Sequence, residues 1–358
     1  PQLLAIPSTN TNGDPISGGQ LTVLSSDGKT FITCNSYYNI YSVNNLTLTE
    51  RENEWNAFVQ NKNSLESYTS DQNLETTMTS MPNLYLTFDI YIYERESESD
   101  TFNEDSKTTI EISGSYNEYQ IINVWAYQAD CSISLNNKYL IIGIPNAYFR
   151  QGAVLIYEKI SGNYTLVRVL KNSVNSNDIS NSTSGGVDYT TLNASAFDFG
   201  SSTAINDNYL IIGAPDGRAN SNGHPGWVQK NNGHGNFILI NIDDDFQIVN
   251  NQLDYDTFLS TNCYFGFNVE INNTGAVVSQ GTISNNGFLF IDTSKITTEN
   301  NKIDDTNTTI VNNSNNDIRF SFYNNYLITG SSGNNPTGLL YAYDLLDLNK
   351  KYELENFN

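Results

Sequence analysis

One twenty-residue stretch constrains the fold more than any other feature of this 358-residue chain. It reads Ala196-Phe-Asp-Phe-Gly-Ser-Ser-Thr-Ala-Ile-Asn-Asp-Asn-Tyr-Leu-Ile-Ile-Gly-Ala-Pro215, and Cys131-Ser-Ile-Ser-Leu-Asn-Asn-Lys-Tyr-Leu-Ile-Ile-Gly-Ile-Pro145 repeats the pattern of its last fifteen residues. Each copy is a strand, a polar turn, a second strand and a Gly-x-Pro stop. Self-similarity at a fixed period marks units that bury their faces only by stacking on neighbours. The earlier copy continues into Gly152-Ala-Val-Leu-Ile-Tyr157 and Tyr164-Thr-Leu-Val-Arg-Val-Leu170, so four strands follow one another through hairpins. Weaker copies begin at Tyr264 and Asp317, and degenerate ones at Gln20 and Leu74. Six units are expected, over about 20–49, 72–112, 131–172, 196–250, 263–296 and 317–354, forming one domain across 1–358. Segment 1–7, with its Leu3–Ile6 run, is left over.

Each part of the unit has a physical reason. The Asn-Asp, Asn-Asn and Asp-Gly turns tolerate the left-handed backbone of two-residue hairpins. Tyr-Leu-Ile-Ile is apolar on both faces, as a strand is when both sheet faces are covered. Gly143, Gly213 and Gly330 end such runs where the chain bends and packs closely. Pro145 and Pro215 then stop the ladder. Four-stranded sheets that cannot bury their own faces stack radially, and closing the ring protects the edges.

Phe-Gly, then Gly-Ala-Pro, then Gly-Ala-Val-x-Ile-Tyr resembles the FG-GAP repeats of integrin α-chain propellers and of related microbial and viral proteins. The resemblance is complete in the 196–215 unit, good at 131–157, 264–291 and 317–343, and degenerate before residue 100. It implies an all-β propeller of four-stranded antiparallel blades. Seven blades are usual in the family and six units are visible, so six or seven are expected, with Leu3–Ile6 closing the ring on the last unit. Integrin-like blades often carry an Asp-rich calcium loop between their first two strands. Here that connection is the tight turn Ile205-Asn-Asp-Asn-Tyr209, and the nearest acidic run, Asp243-Asp244-Asp245, lacks the spaced oxygens and Gly of a calcium loop. Folding without calcium is expected, and no cofactor is implied.

Charge narrows the partners. Asp and Glu number 39 against 17 Lys and Arg, a net charge of −22. Such a field repels phosphate backbones, and no basic face compensates, so nucleic acid is not expected as a partner. No apolar stretch reaches the ~20 residues of a membrane span. Cys34, Cys131 and Cys263 share no short spacing, which argues against a zinc site and suits folding in a reducing compartment. The chain opens Pro-Gln-Leu-Leu-Ala-Ile-Pro without an initiator Met or signal pattern, so upstream residues are expected.

Catalytic signatures are missing: no Gly-x-Ser-x-Gly elbow, P-loop or dinucleotide fingerprint occurs. Paired carboxylates remain open, since 39 acids can meet in space. The only two histidines, His224 and His234, lie in Gly223-His-Pro-Gly-Trp-Val-Gln-Lys-Asn-Asn-Gly-His-Gly235 at a spacing that matches no known metal geometry. This loop is the longest insertion in a clear unit, and it gathers Asp216, Arg218, His224, Trp227, Lys230 and His234. Aromatic and cationic residues on a loop held by a rigid scaffold are raw material for binding; equally, Trp227 could pin the loop to its blade. Seven Asn-x-Ser/Thr triplets, at Asn45, Asn163, Asn181, Asn193, Asn272, Asn307 and Asn312, are what so Asn-rich a chain yields by chance. The polar stretches 172–193 and 297–316 read as exposed loops, and Glu94–Asp105 as an acidic loop. The expectation is a non-catalytic structural or attachment module on a virion or on a microbial cell surface, contacting protein or glycan. A carbohydrate-binding propeller and a glycosidase or lyase on the same scaffold are the alternatives.

Overall fold

The computed structural model describes residues 21–25, 27–40, 84–102, 108–115, 131–145, 152–172, 180–184, 186–192, 198–215, 235–253, 264–281, 286–297, 299–313, 318–331 and 339–354. Among them, strands account for all regular structure except one 3-10 turn at Thr293–Lys295. No helix among the described residues is long and apolar enough to cross a membrane.

The first sheet is the meander β1 (Leu21–Leu24), β2 (Thr30–Ile40), β3 (Leu84–Glu94) and β4 (Thr108–Ser115). The second contains β5 (Ser132–Leu135), β6 (Tyr139–Ile144), β7 (Ala153–Ile160) and β8 (Asn163–Asn172), extended by β9 (Ser180–Ser184) and β10 (Val187–Leu192). The third is β11 (Ser202–Ile205), β12 (Tyr209–Ala214), β13 (Asn236–Asn241) and β14 (Gln247–Ile248). A small parallel pair joins β15 (Asn250–Asn251) to β19 (Lys302–Ile303). The fourth sheet is β16 (Tyr264–Ile271), β17 (Ala276–Gly281), β18 (Asn286–Ile291) and β20 (Thr308–Asn313). The fifth is β21 (Ile318–Tyr323), β22 (Tyr326–Ser331), β23 (Leu339–Asp344) and β24 (Asp347–Leu354). The described residues fall into two compact units, β1–β4 in one and β5–β24 in the other.

In the larger unit the sheets pack face to face as blades. Leu210, Ile211 and Ile212 are fully buried. Leu210 and Ile212 join Ile141, Val154 and Ile156 of the second blade, while Ile211 joins Phe265, Val278 and Leu289 of the fourth. Both faces of this strand are therefore covered, as its doubly apolar sequence requires.

Four expectations need correction. The strands of the 20–49 and 72–112 units form one sheet, because β2 and β3 pair along their whole length, from Thr30↔Glu94 to Ile40↔Leu84. Asp89 lies inside β3 opposite Asn35. Second, 172–193 is not all loop. Val187, Tyr189, Thr190 and Thr191 are good strand formers, and β10 adds in parallel to β8 while pairing with β9. Third, Thr308-Thr-Ile-Val-Asn-Asn313, within the polar stretch 297–316, is the outer strand of the fourth blade. Fourth, the Asn turns of the three most regular hairpins use no left-handed residue. Their four-residue connections are closed by the Asn side chain: Asn136 Oδ1 accepts from the Lys138 and Tyr139 N–H groups, and Asn206 Oδ1 from those of Asn208 and Tyr209. The left-handed two-residue form appears at Asn324 (φ 49°), between the paired Tyr323 and Tyr326. Leu3–Ile6 lies outside the described residues.

Candidate functional site

The Phe-Gly dipeptides are consumed in joining blades. Phe199 is fully buried and bridges in parallel to Gly152 of the preceding blade, and Phe265 does the same to Gly235. Gly200 and Gly266 hold positive φ, 92° and 86°, so their carbonyls turn onto that blade. An added Cβ on Gly143 would lie 2.9 Å from the Gly200 carbonyl carbon, and one on Gly213 would lie 3.0 Å from that of Gly266. The glycines that end the Tyr-Leu-Ile-Ile runs are thus seats for the next blade's Phe-Gly. A hydroxyl completes each seat: Ser132 Oγ donates to the Gly200 carbonyl (2.8 Å) and Ser202 Oγ to that of Gly266 (2.9 Å). The turn asparagines add a ladder, with Asn136 Nδ2 donating to the Asn206 carbonyl (2.8 Å) and Asn206 Nδ2 to that of Asn272 (2.7 Å).

These seats fix the roots of the long loop. Ala214 pairs with Asn236, and Gly235 is clamped against Phe265, so the chain leaves and returns at adjacent points of a sheet held on both faces. The six candidate residues themselves, Asp216, Arg218, His224, Trp227, Lys230 and His234, lie outside the described residues.

Asp243-Asp244-Asp245 is a turn between β13 and β14, and its carboxylates serve as clamps. Asp243 Oδ2 accepts from Asn208 Nδ2 (2.6 Å), and Asp245 pairs with Arg168 of the second blade (3.0 Å). Arg168 also reaches Asp188 on β10 (3.4 Å) and lies over the Phe246 ring (4.7 Å), which meets Tyr139 edge-on at 5.6 Å. Asp245 and Phe246 both have positive φ, 47° and 59°, a strained pair that this contact set holds in place. Among the described residues no three His, Cys, Asp or Glu side chains gather as a metal site.

Two features of the last blades carry no motif and escape a sequence reading. On the fifth blade Tyr323, Tyr326, Tyr352 and Leu346 are exposed, Tyr323 by 68% and Leu346 by 83%, and Tyr326 meets Tyr352 edge-on at 6.2 Å. At the edge of the same blade Lys351 Nζ sits 3.5 Å from the centre of the Tyr341 ring. In β16, Glu270 is partly buried, and desolvation pushes its carboxyl up to about 7. Asn307, one of the glycosylation triplets, is buried and donates Nδ2 to the Lys302 carbonyl, which leaves no room for a glycan.

No protein-family model matches this chain, and no curated protein sequence is similar to it. Among the solved structures that overlap it are TolB from Acinetobacter baumannii (5% identity, 75% of this chain and 49% of that one, TM-score 0.35), the Dos1 propeller (13%, 96% and 74%, 0.34) and the AtxE2 isopeptidase (7%, 94% and 51%, 0.25). The chain thus spans about half the length of the TolB structure. Overlaps at these scores assign neither fold nor function. The class rests on the strand pairing itself, which among the described residues defines an all-β protein of blades built on four antiparallel strands, one of them extended by two more, stacked face to face within its larger unit.

Proposed function

We propose that this chain is an FG-GAP-type β-propeller, closed with six or seven blades across 1–358, acting as a non-catalytic attachment module on a virion or microbial cell surface. The observation that supports this reading is the clamped root of the 216–234 loop. Strand pairing at Ala214↔Asn236 and the Phe265–Gly235 bridge fix both ends, so using the tip for contact costs little ordering entropy. The loop contains Asp216, Arg218, His224, Trp227, Lys230 and His234, a mixture of charge and aromatic character in a chain with few cations. Replacing 217–234 by a short Gly-Asn turn tests it. The shortened protein keeps its β-type circular dichroism spectrum and loses incorporation into its native assembly; normal incorporation would reject the loop as the interaction surface.

A carbohydrate-binding role is the second reading, favoured by the exposed Tyr323, Tyr326 and Tyr352 on the fifth blade, since tyrosine rings bury large apolar faces while keeping a polar tip. A glycan array separates the two: sugar binding abolished by Tyr326→Ala and Tyr352→Ala, with the 217–234 deletion still binding, would favour the second. A glycosidase reading has less support, because among the described residues no second carboxylate is seen to face Glu270.

A further inference from the structure

The blades of the larger unit are not joined alike. The second–third and third–fourth interfaces share three connectors: a Phe-Gly seat, a serine-to-carbonyl bond and a step of the asparagine ladder. The fourth–fifth interface shows none of them among the described residues. Asn312-Asn-Ser-Asn-Asn-Asp317, immediately before Ile318, contains no Phe-Gly, and the β21–β22 hairpin is the short Asn324-Asn325 form without the Asn side-chain closure of the others. Its contacts are aromatic instead: Phe288 meets Phe320 at 5.6 Å and Tyr343 at 5.2 Å. Where Ser132 and Ser202 donate to a carbonyl, Asn268 accepts from the Arg319 guanidinium.

A carboxyl group occupies this different joint. Counting back two residues from each turn asparagine gives Ser134, Ala204 and Glu270. Ser134 bonds Thr203 of the next blade, and Ala204 packs in the core shared with the next blade. Val269 and Ile271 turn into the core shared with the third blade, so Glu270 points the other way, on the side of Asn268 and the fifth blade. Its cross-strand partner Val277 packs with Phe288, Leu327 and Tyr341. The titratable or charged groups on the described elements around it are Arg319 and Tyr323 on β21, Tyr326 on β22, and Tyr341, Tyr343 and Asp344 on β23; β17 and β18 carry none. Arg319 is engaged by Asn268 and lies 5.7 Å from the centre of the Phe267 ring, and no hydrogen bond or ion pair among the described residues reaches Glu270.

We propose that the seam between the fourth and fifth blades is a proton-controlled joint, closed while Glu270 holds its proton and loosened when it releases it. A carboxylate formed there, with no partner among the described residues, must draw in water, and the described residues of this interface show none of the connectors that hold the other two shut. The sign is opposite to ordinary acid unfolding. Burial raises this carboxyl from 4.5 to about 7. Its contribution is therefore complete in acid and is lost as pH rises through the neutral range. The fifth blade, 318–354, is the element released.

Hydrogen exchange of the full chain, corrected for intrinsic rates, tests this. Between about pH 5.5 and about pH 8.5, protection of peptides covering 264–271 and 318–331 falls by up to roughly thirtyfold, from the shift in proton affinity. Peptides from β6 and β12 stay protected throughout. Glu270→Gln flattens the pH dependence; should that variant fold poorly, Glu270→Ala, which restores the residue of the preceding blade, replaces it. An unchanged pH dependence in the variant that folds, or flat protection in the wild type, overturns the proposal.

Discussion

Gly213 and Gly330 occupy the same place in two copies of the repeat, yet alanine at the two sites should act in opposite directions. At Gly213 the new Cβ would sit 3.0 Å from the Gly266 carbonyl carbon and nearer still to its oxygen, both rigid backbone atoms. The fourth blade must move off by about 1 Å. Overpacking of this kind costs about 1–3 kcal/mol or somewhat more. The Ser202–Gly266 hydrogen bond, strained by the same shift, is worth about 1 kcal/mol. Gly213→Ala should therefore lose about 3–4 kcal/mol. At Gly330 the nearest atom to an added Cβ is Leu340 Cδ2 at 3.4 Å, ordinary van der Waals contact, and its φ lies outside the left-handed region. Gly330→Ala then removes only unfolded-chain freedom and should gain about 0.5 kcal/mol. Urea unfolding followed by circular dichroism reads both, with hydrogen exchange locating the loss at β11–β18. Equal effects at the two sites, in either direction, would refute the idea that Phe-Gly seats hold these blades together.

Arg168→Met keeps the apolar stem but removes the guanidinium that ties Asp188, Asp245 and Phe246 together; a loss of about 1–2 kcal/mol is expected, discounted because Asp245 is exposed, and added salt should shrink the gap from wild type in urea titrations. Asn206→Asp preserves the turn acceptors but loses the donation to the Asn272 carbonyl, so it should cost about 1 kcal/mol, and Asn206→Ala roughly twice that, both read as urea midpoints. EDTA should move the melting temperature by less than about 5 °C, since a larger shift would correspond to roughly 4 kcal/mol or more of metal stabilisation in a chain of this size.

Legibility in the sequence followed how local each signal was. Pairs within one hairpin were readable because the turn and both strands lie within some fifteen residues, as at Ser132–Ile144 and Ser202–Ala214. The β2–β3 pairing was not readable: it joins Thr30–Ile40 to Leu84–Glu94 across 41–83, and no local pattern records such a register. The outlying strands β9 and β10 and the edge strand β20 were hidden by Asn, Ser and Thr, because an outer strand needs only one apolar face and can be mostly polar on the other. The site showed the same division. The sequence marks where the loop begins and ends, since Pro215 and Gly235 flank it, but not that Gly235 is clamped by Phe265 from the next unit. Glu270 resembles any acid in an acidic chain, and only stacking against the fifth blade distinguishes it.

The repeat signature is silent about ligands for a structural reason. Phe199, Phe265, Gly143, Gly152, Gly213 and Gly235, the residues that make the units recognisable, all face neighbouring blades. The turn asparagines are likewise spent, their Oδ1 atoms on their own hairpins and the Nδ2 atoms of Asn136 and Asn206 on the next blade. A residue used to join one blade to the next cannot also present itself to a partner. On the proposed reading, specificity comes from positions where the repeats differ: the 216–234 insertion, the exposed tyrosines of the fifth blade and the Glu270 seam. Fold and function are written in separate sets of residues along this chain, so substitutions in the first set should abolish both together, while those in the second should change contact or opening and leave the blades standing.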